Sequence, residues 1–453
     1  MKKQIAMIKR FLNNKYFKFF CFFLLFYVFI IALHPDVLKV SYLHAEDGRD
    51  FFGSWVTDGT KSLFFTQGGY LCLVSRIIGG VAFLTFNYTN SIYIIGDTIE
   101  ALSTVFTALV FSWFCSEEFG FLIKKRYKRV LFSLLLILLF SNYYSVLYNA
   151  VGIHWICGFV SFLASIKLLN NELPSYKSLP LILISIVSSA SSMILGFALI
   201  YYLFKNIKIH DFISSLKKHS IHDYIKFILI GLFMCVQAYF ILFVGNNTDA
   251  EVSNSLKDIL FYSINMLLSI PLSILGPNFI ITVSNLRLNV YLGSVVWIVT
   301  VILVVKTGKT KSFILFVIDI FFLYFMTFYK NTDLVQTYQN LTEWAISFYN
   351  ALPSMIYMIL LMLVIDEIKI KHTFDYAIGF TAIMVILFYI LFVKSYNPDF
   401  NKNKYLDEVS KYTEVKSENY ALIYITPYNG WSVKVPVNKE YCEVNACEKR
   451  NVY

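Results

Sequence analysis

Long apolar runs separated by short polar ones are the dominant pattern of this 453-residue chain. Apolar runs of roughly 18 or more residues predict helices that cross a bilayer. The first covers 17–33 and has no small-residue cleavage site after it, so it is read as a retained span and not a removed signal peptide. Further crossings are expected at 91–114, 129–147, 153–170, 225–245, 289–306, 312–328, 345–365 and 374–395. The run 178–204 is broken at Ser188-Ser189-Ala190-Ser191-Ser192. It is expected to be a tight hairpin whose tip approaches the outer face, where irregular backbone needs protein or water around it. The pattern gives about eleven spans, and no internal repeat is visible.

Loop charge orients these spans. Residues 1–18 carry Lys2, Lys3, Lys9, Arg10, Lys15 and Lys18 and no acid, which predicts a cytoplasmic N terminus. Segment 35–69 holds five acids against three bases and is expected outside. Lys124, Lys125, Arg126, Lys128 and Arg129 mark an inner loop. Only one crossing fits between these points, so 70–86, with Arg76 and its Gly68-Gly69 start, is expected as a helix lying in the outer interface. Pro271 and Gly276-Pro277 similarly argue that 259–283 forms outer-surface helices. Lys306, Lys309 and Lys311, then Lys369 and Lys371, mark later inner turns. The expected organisation is a transmembrane domain over 1–395, with a first outer loop and its interfacial helices at 35–90. An extracytoplasmic tail follows at 396–453.

The chain is 57% apolar and 15% charged, which excludes a soluble domain of this size. Its net charge of +10 is explained by basic inner loops, so nucleic acid is not an expected partner. Cys21, Cys72, Cys115, Cys157 and Cys235 lie in or near apolar runs and are expected to be inert packing residues. Cys442 and Cys447 lie in the tail, where an oxidising compartment favours a small disulfide over two free thiols.

The densest polar cluster is His44-Ala45-Glu46-Asp47-Gly48-Arg49-Asp50 in the first outer loop. Glu46 and Asp50 are four apart and would share a helix face. Carboxylates just above a membrane can take a proton from an attacking hydroxyl or hold a divalent cation; the alternative is a solvated turn. Asp97 and Glu100 stand in the outer third of a span, where acids usually face a polar cavity, against a snorkelling or structural role. Asp319 lies deeper and is expected to pair with a neighbouring helix. His154-Trp155, after Asn149, opens a span; it suits either a structural hydrogen bond or a sugar ring. Arg49, Arg76 and Arg287 are outer-side arginines whose guanidinium fork matches a lipid phosphate, or ordinary head groups. Thr307-Gly308-Lys309-Thr310 is no P-loop, because Leu303 stands where the first glycine belongs. No zinc-type Cys/His set, Gly-x-Ser-x-Gly or dinucleotide fingerprint is present. An outer-side enzyme would therefore need a donor already activated on a lipid.

These residues resemble a family. His44-Ala45-Glu46-Asp47-Gly48 with Phe51-Phe52, Ser62-Leu63-Phe64, Gly69-Tyr70-Leu71 and Ser75-Arg76-Ile77 look like the first outer loop of GT-C membrane glycosyltransferases. The likeness is nearest to bacterial serotype-converting O-antigen glucosyltransferases. The Asn149…His154-Trp155 stretch and Ile425-Thr426-Pro427-Tyr428-Asn429-Gly430-Trp431-Ser432 are also similar. Phe348-Tyr349 departs, standing where related proteins often carry Arg-Tyr. The resemblance implies an all-α polytopic membrane protein with a GT-C-like bundle in the bacterial inner membrane, its C terminus periplasmic. It implies transfer of a sugar, expected to be glucose, from undecaprenyl-phosphate-sugar to lipid-linked O-antigen. Asp47 and Glu46 would be catalytic, and Arg49, Arg76 and Arg287 would bind the donor phosphate. Asp97, Glu100, His154, Trp155 and Trp431 would line the sugar or acceptor site. A divalent cation is a possible cofactor, and a separate donor synthase and flippase are implied partners. A flippase or transporter of a lipid-linked sugar, or an O-antigen polymerase, is the alternative.

Overall fold

The computed structural model describes residues 14–33, 43, 46–91, 93–141, 147–206, 221–244, 255–273, 286–330, 343–367, 414–417, 420–424 and 432–436. Expectations for His44, the span 374–395, Trp431 and the pair Cys442 and Cys447 lie outside these residues, as does the side chain of Arg287.

The chain is a helical bundle. Its elements are α1 (Lys15–Leu33), a π-helical turn (Asp47–Phe52), α2 (Gly53–Asp58) and a 3-10 turn (Gly59–Phe64). The hairpin β1 (Thr66–Gln67) and β2 (Tyr70–Leu71) leads to α3 (Leu73–Thr89), α4 (Tyr93–Phe114), α5 (Arg126–Ser141) and α6 (Ile153–Leu169). Then come α7 (Leu179–Ile186), α8 (Ile194–Asn206), α9 (Ile221–Tyr239), α10 (Leu256–Ser273), α11 (Leu286–Thr307), α12 (Thr310–Lys330) and α13 (Glu343–Glu367). A small antiparallel sheet, β3 (Glu414–Ser417), β4 (Tyr420–Tyr424) and β5 (Ser432–Pro436), belongs to the tail.

Five helices are long and apolar enough to cross a membrane among the described residues, and the α7–α8 pair, bent by 114°, makes a sixth candidate. In the most apolar stretch of α1 only 17% of residues are buried, and in those of α9 and α11 28%, against 72% for α13. Helix α13 is therefore central. Helices α1, α9 and α11 are peripheral and turn Phe20, Leu24, Val28, Leu232, Val295 and Ile298 outward. Apolar faces of that extent need a lipid surround, so the bundle is that of a multi-pass membrane protein.

Contacts sort the connections into two ends. At one, Lys177 Nζ donates to Tyr16 Oη at 2.5 Å, and Lys167 pairs with Glu118 at 2.9 Å. Lys128 pairs with Asp366 and Lys309 with Glu367, each at 2.9 Å. The basic loops thus gather round the start of α1. At the other end Tyr148 Oη donates to Ile30 O at 3.0 Å. Tyr16 and Ile30 are about 21 Å apart along α1 at 1.5 Å per residue. The tail strand β5 lies against α2 and the π-helical turn, so tail and first acidic segment share an end.

Two irregular stretches have local causes. The serine run breaks α7 from α8 because its hydroxyls take over backbone partners: Ser188 Oγ donates to Ile184 O at 2.6 Å and Ser192 Oγ to Ser185 O at 3.0 Å. Gly158 in α6 lets the break approach, since a Cβ there would overlap Ser191 Oγ and Leu352 Cδ2. Of the stretch expected as outer-surface helices, the described residues form one helix to Ser273, packed between α11, α12 and α13, and 274–283 lie outside the described residues. Pro271 lies inside it and supplies no N–H for Leu267 O. The indole Nε1–H of Trp297 donates to that carbonyl at 2.8 Å. Gly293 lets the backbone of Leu268 come close.

Candidate functional site

The first acidic segment folds back onto α3. Gly79 and Gly80 make this fit: a Cβ on Gly79 would lie 2.5 Å from Phe51 O, and one on Gly80 would overlap the Trp55 ring. The Trp55 indole donates to Arg76 O at 2.8 Å. Gly68 and Gly69 have φ of +57° and +79°, which closes the β1–β2 hairpin where a side chain would be strained. The turn at Asp47–Phe52 is π-helical, a geometry frequent at functional sites.

Arg76 ties this segment together. It is 2% exposed. Its Nη1 donates to Asp50 O and, at 2.9 Å, to Ser54 Oγ; its Nη2 donates to Thr66 O at 3.4 Å. The guanidinium also lies 5.1 Å from the Phe51 ring centroid and 5.9 Å from that of Phe65. Arg76 therefore serves the protein's own carbonyls. Arg49, by contrast, keeps a half-exposed side chain and grips Asp50 through Nε at 2.7 Å and Nη2 at 2.8 Å. That pairing raises the arginine's pKa above its ordinary value.

The segment then meets the start of α6. Asp47, 1% exposed, accepts the backbone N–H of Val151 at 2.8 Å. A buried carboxylate is favoured there, because the turn leads into the N-terminal end of a helix. Next to it Ser75 Oγ donates to Ala150 O at 2.6 Å. The start of α3 is anchored to the serine break: Leu73 N donates to Val187 O at 3.2 Å and Val74 N to Ser188 Oγ at 3.0 Å. Gln237 Nε2 donates to Leu71 O at 3.3 Å from α9. The His154 ring lies 4.2 Å from that of Trp155 and 5.9 Å from that of Tyr70, and its Nδ1 contacts Val151 O. Glu46 is half-buried and within electrostatic reach of His154.

Of the residues singled out in the sequence, Glu46, Asp47, His154 and Trp155 thus gather in one place. Asp97 is exposed and Glu100 buried, so the two acids of α4 have different surroundings. Asp319 is fully buried in α12, and neither carboxylate oxygen has a hydrogen-bond partner among the described residues. Among the described residues, no group of three or more His, Cys, Asp or Glu side chains is placed to hold a metal ion. Sequence reasoning gave no part in the site to Ser75, Ser188, Gln237 or the Gly79-Gly80 pair. The glycine pair and the serine run were visible signals, and Ser75 stood within the Ser75-Arg76-Ile77 motif; Gln237 carried none.

Comparison with known protein families, with curated proteins and with solved structures finds no match to this chain.

Proposed function

We propose that this chain is a GT-C-like membrane glycosyltransferase of about eleven passes. It moves a hexose from a polyprenyl-phosphate carrier to a lipid-linked glycan on the extracytoplasmic face of the bacterial inner membrane. The observation that carries this reading is the bond of Asp47, next to Glu46 in the chain, to Val151 in the 149–155 stretch, at the end remote from the basic loops. Positive loops stay cytoplasmic, so this end is the outer one. Carboxylates, an imidazole and an indole together suit a hydroxyl-rich ring, with Trp155 as the stacking surface.

The step uses no cofactor redox chemistry. An acceptor hydroxyl oxygen bonds to the anomeric carbon as the bond from that carbon to the phosphate oxygen breaks. The hydroxyl proton passes to Glu46, and the phosphate leaves with the electron pair. Asp47 positions Glu46 through its bond to Val151. Arg49, whose half-exposed guanidinium is held by Asp50, turns its remaining N–H groups to the leaving phosphate.

The test is glycan analysis of cells expressing wild type, Glu46→Gln and Asp47→Asn, with membrane abundance measured alongside. The added hexose should be present with wild type and at least a hundred-fold reduced in Glu46→Gln at equal abundance. Full modification by both variants would sink the reading. A changed chain length with unmodified repeats would point to a polymerase, and movement of a labelled lipid-linked sugar between leaflets to a transporter.

A further inference from the structure

Asn149 is 1% exposed, and neither its Oδ1 nor its Nδ2 has a hydrogen-bond partner among the described residues. A buried primary amide left in that state is costly, because two strong polar groups have given up water for nothing. Native interiors rarely tolerate this, and each exception calls for an explanation. Its position supplies one. The next residue, Ala150, accepts from Ser75 Oγ at 2.6 Å, and Val151 donates to Asp47 at 2.8 Å. Gly152 N donates back to Asn149 O at 3.2 Å, which fixes the turn. The amide therefore sits on a turn two residues before Val151, whose N–H binds Asp47, and five residues before His154.

Among uncharged ligands, an amide's donor and acceptor together match adjacent hydroxyls of a hexose, one accepting from Nδ2 and the other donating to Oδ1. They do not favour a phosphate, which only accepts and would stand beside Asp47 and Glu46. We propose that Asn149 is a sugar-specificity residue: its amide binds vicinal hydroxyls of the donor's hexose and holds the ring against the Glu46–Asp47 carboxylates. This rests on the functional reading above. It assigns Asn149 to the sugar and leaves the phosphate and the lipid tail to other residues.

The experiment measures binding of undecaprenyl-phosphate-glucose and of bare undecaprenyl phosphate to the full chain in nanodiscs. Wild type, Asn149→Leu and Asn149→Ser are compared. Wild type should prefer the sugar-bearing lipid. Both variants should lose roughly ten-fold or more of that preference, the scale of one or two neutral hydrogen bonds, with affinity for the bare lipid unchanged. Thermal stability of ligand-free Asn149→Leu should equal or exceed wild type, since an unsatisfied amide has been removed. Undiminished sugar preference in Asn149→Ser overturns the proposal. So does a stability loss in both ligand-free variants, which would mean that the amide is bonded within the protein. If wild type itself shows no preference for the sugar-bearing lipid, the functional reading fails and takes this one with it.

Discussion

Replacing Arg76 separates two jobs that its position could serve. The guanidinium makes one contact to Asp50 O, a 2.9 Å bond to Ser54 Oγ and a longer one of 3.4 Å to Thr66 O. Hydrogen bonds to a charged group are worth about 1.5–3 kcal/mol each, and each ring contact adds about 0.5–1 kcal/mol. Arg76→Met keeps most of the packing and loses the donors, leaving Asp50 O and Thr66 O facing a thioether. Counting only the two shorter bonds, at the low end, the closed form of 46–71 is destabilised by about 3 kcal/mol. That raises its opening equilibrium roughly 150-fold. The surrounding bundle should hold, because Gly79, Gly80 and the Trp55 indole still dock the segment. Hydrogen exchange in nanodiscs, read peptide by peptide, measures this directly. Amides of 46–71 should exchange about two orders of magnitude faster, and those of α6 and α13 at the wild-type rate. Arg76→Lys should fall between, because one ammonium cannot fork to carbonyls on two sides. Unchanged exchange over 46–71 with a large loss of polyprenyl-phosphate binding would refute the argument and make Arg76 a ligand contact.

Other predictions follow from single contacts. Trp297→Phe leaves Leu267 O without either Pro271 or the indole as donor; thermal unfolding in detergent should report a loss of about 1–2 kcal/mol. Gly293→Ala puts a methyl against Leu268 O, and α10 and α11 must separate at a cost of about 1–3 kcal/mol. A cysteine cross-link between those helices should form more slowly. Glu118 accepts from Lys167 Nζ at 2.9 Å, Ser175 Oγ at 2.5 Å and Ser178 Oγ at 3.0 Å. Burial pushes its pKa up, but those donors together hold it below its ordinary value. Its ionised form therefore stabilises the fold above about pH 4.3, the unfolded value, and that contribution is lost as pH falls further towards the folded value. Wild type should lose melting temperature on acidification more steeply than Glu118→Gln; parallel curves would remove Glu118 from the account.

Local pattern alone determined much of this protein. The runs at 17–33, 91–114, 153–170 and 289–306 became helices α1, α4, α6 and α11 because partition of apolar side chains out of water is a property of each segment by itself. The serine run marked the α7–α8 break for the same reason, since hydroxyls compete for nearby carbonyls. Gathering of the basic loops at one end was also legible from charge. Tertiary structure decided what lay beyond that range. Asp47 and Val151 are 104 residues apart, and Arg76, which the sequence offered as a lipid-phosphate ligand or a head-group anchor, instead clamps Asp50, Ser54 and Thr66. Pro271 stays inside a helix because the Trp297 indole donates to the Leu267 carbonyl that the proline leaves open. A buried polar group must find a partner, but its identity depends on which distant backbone packing brings within about 3 Å. No periodicity in the chain records that.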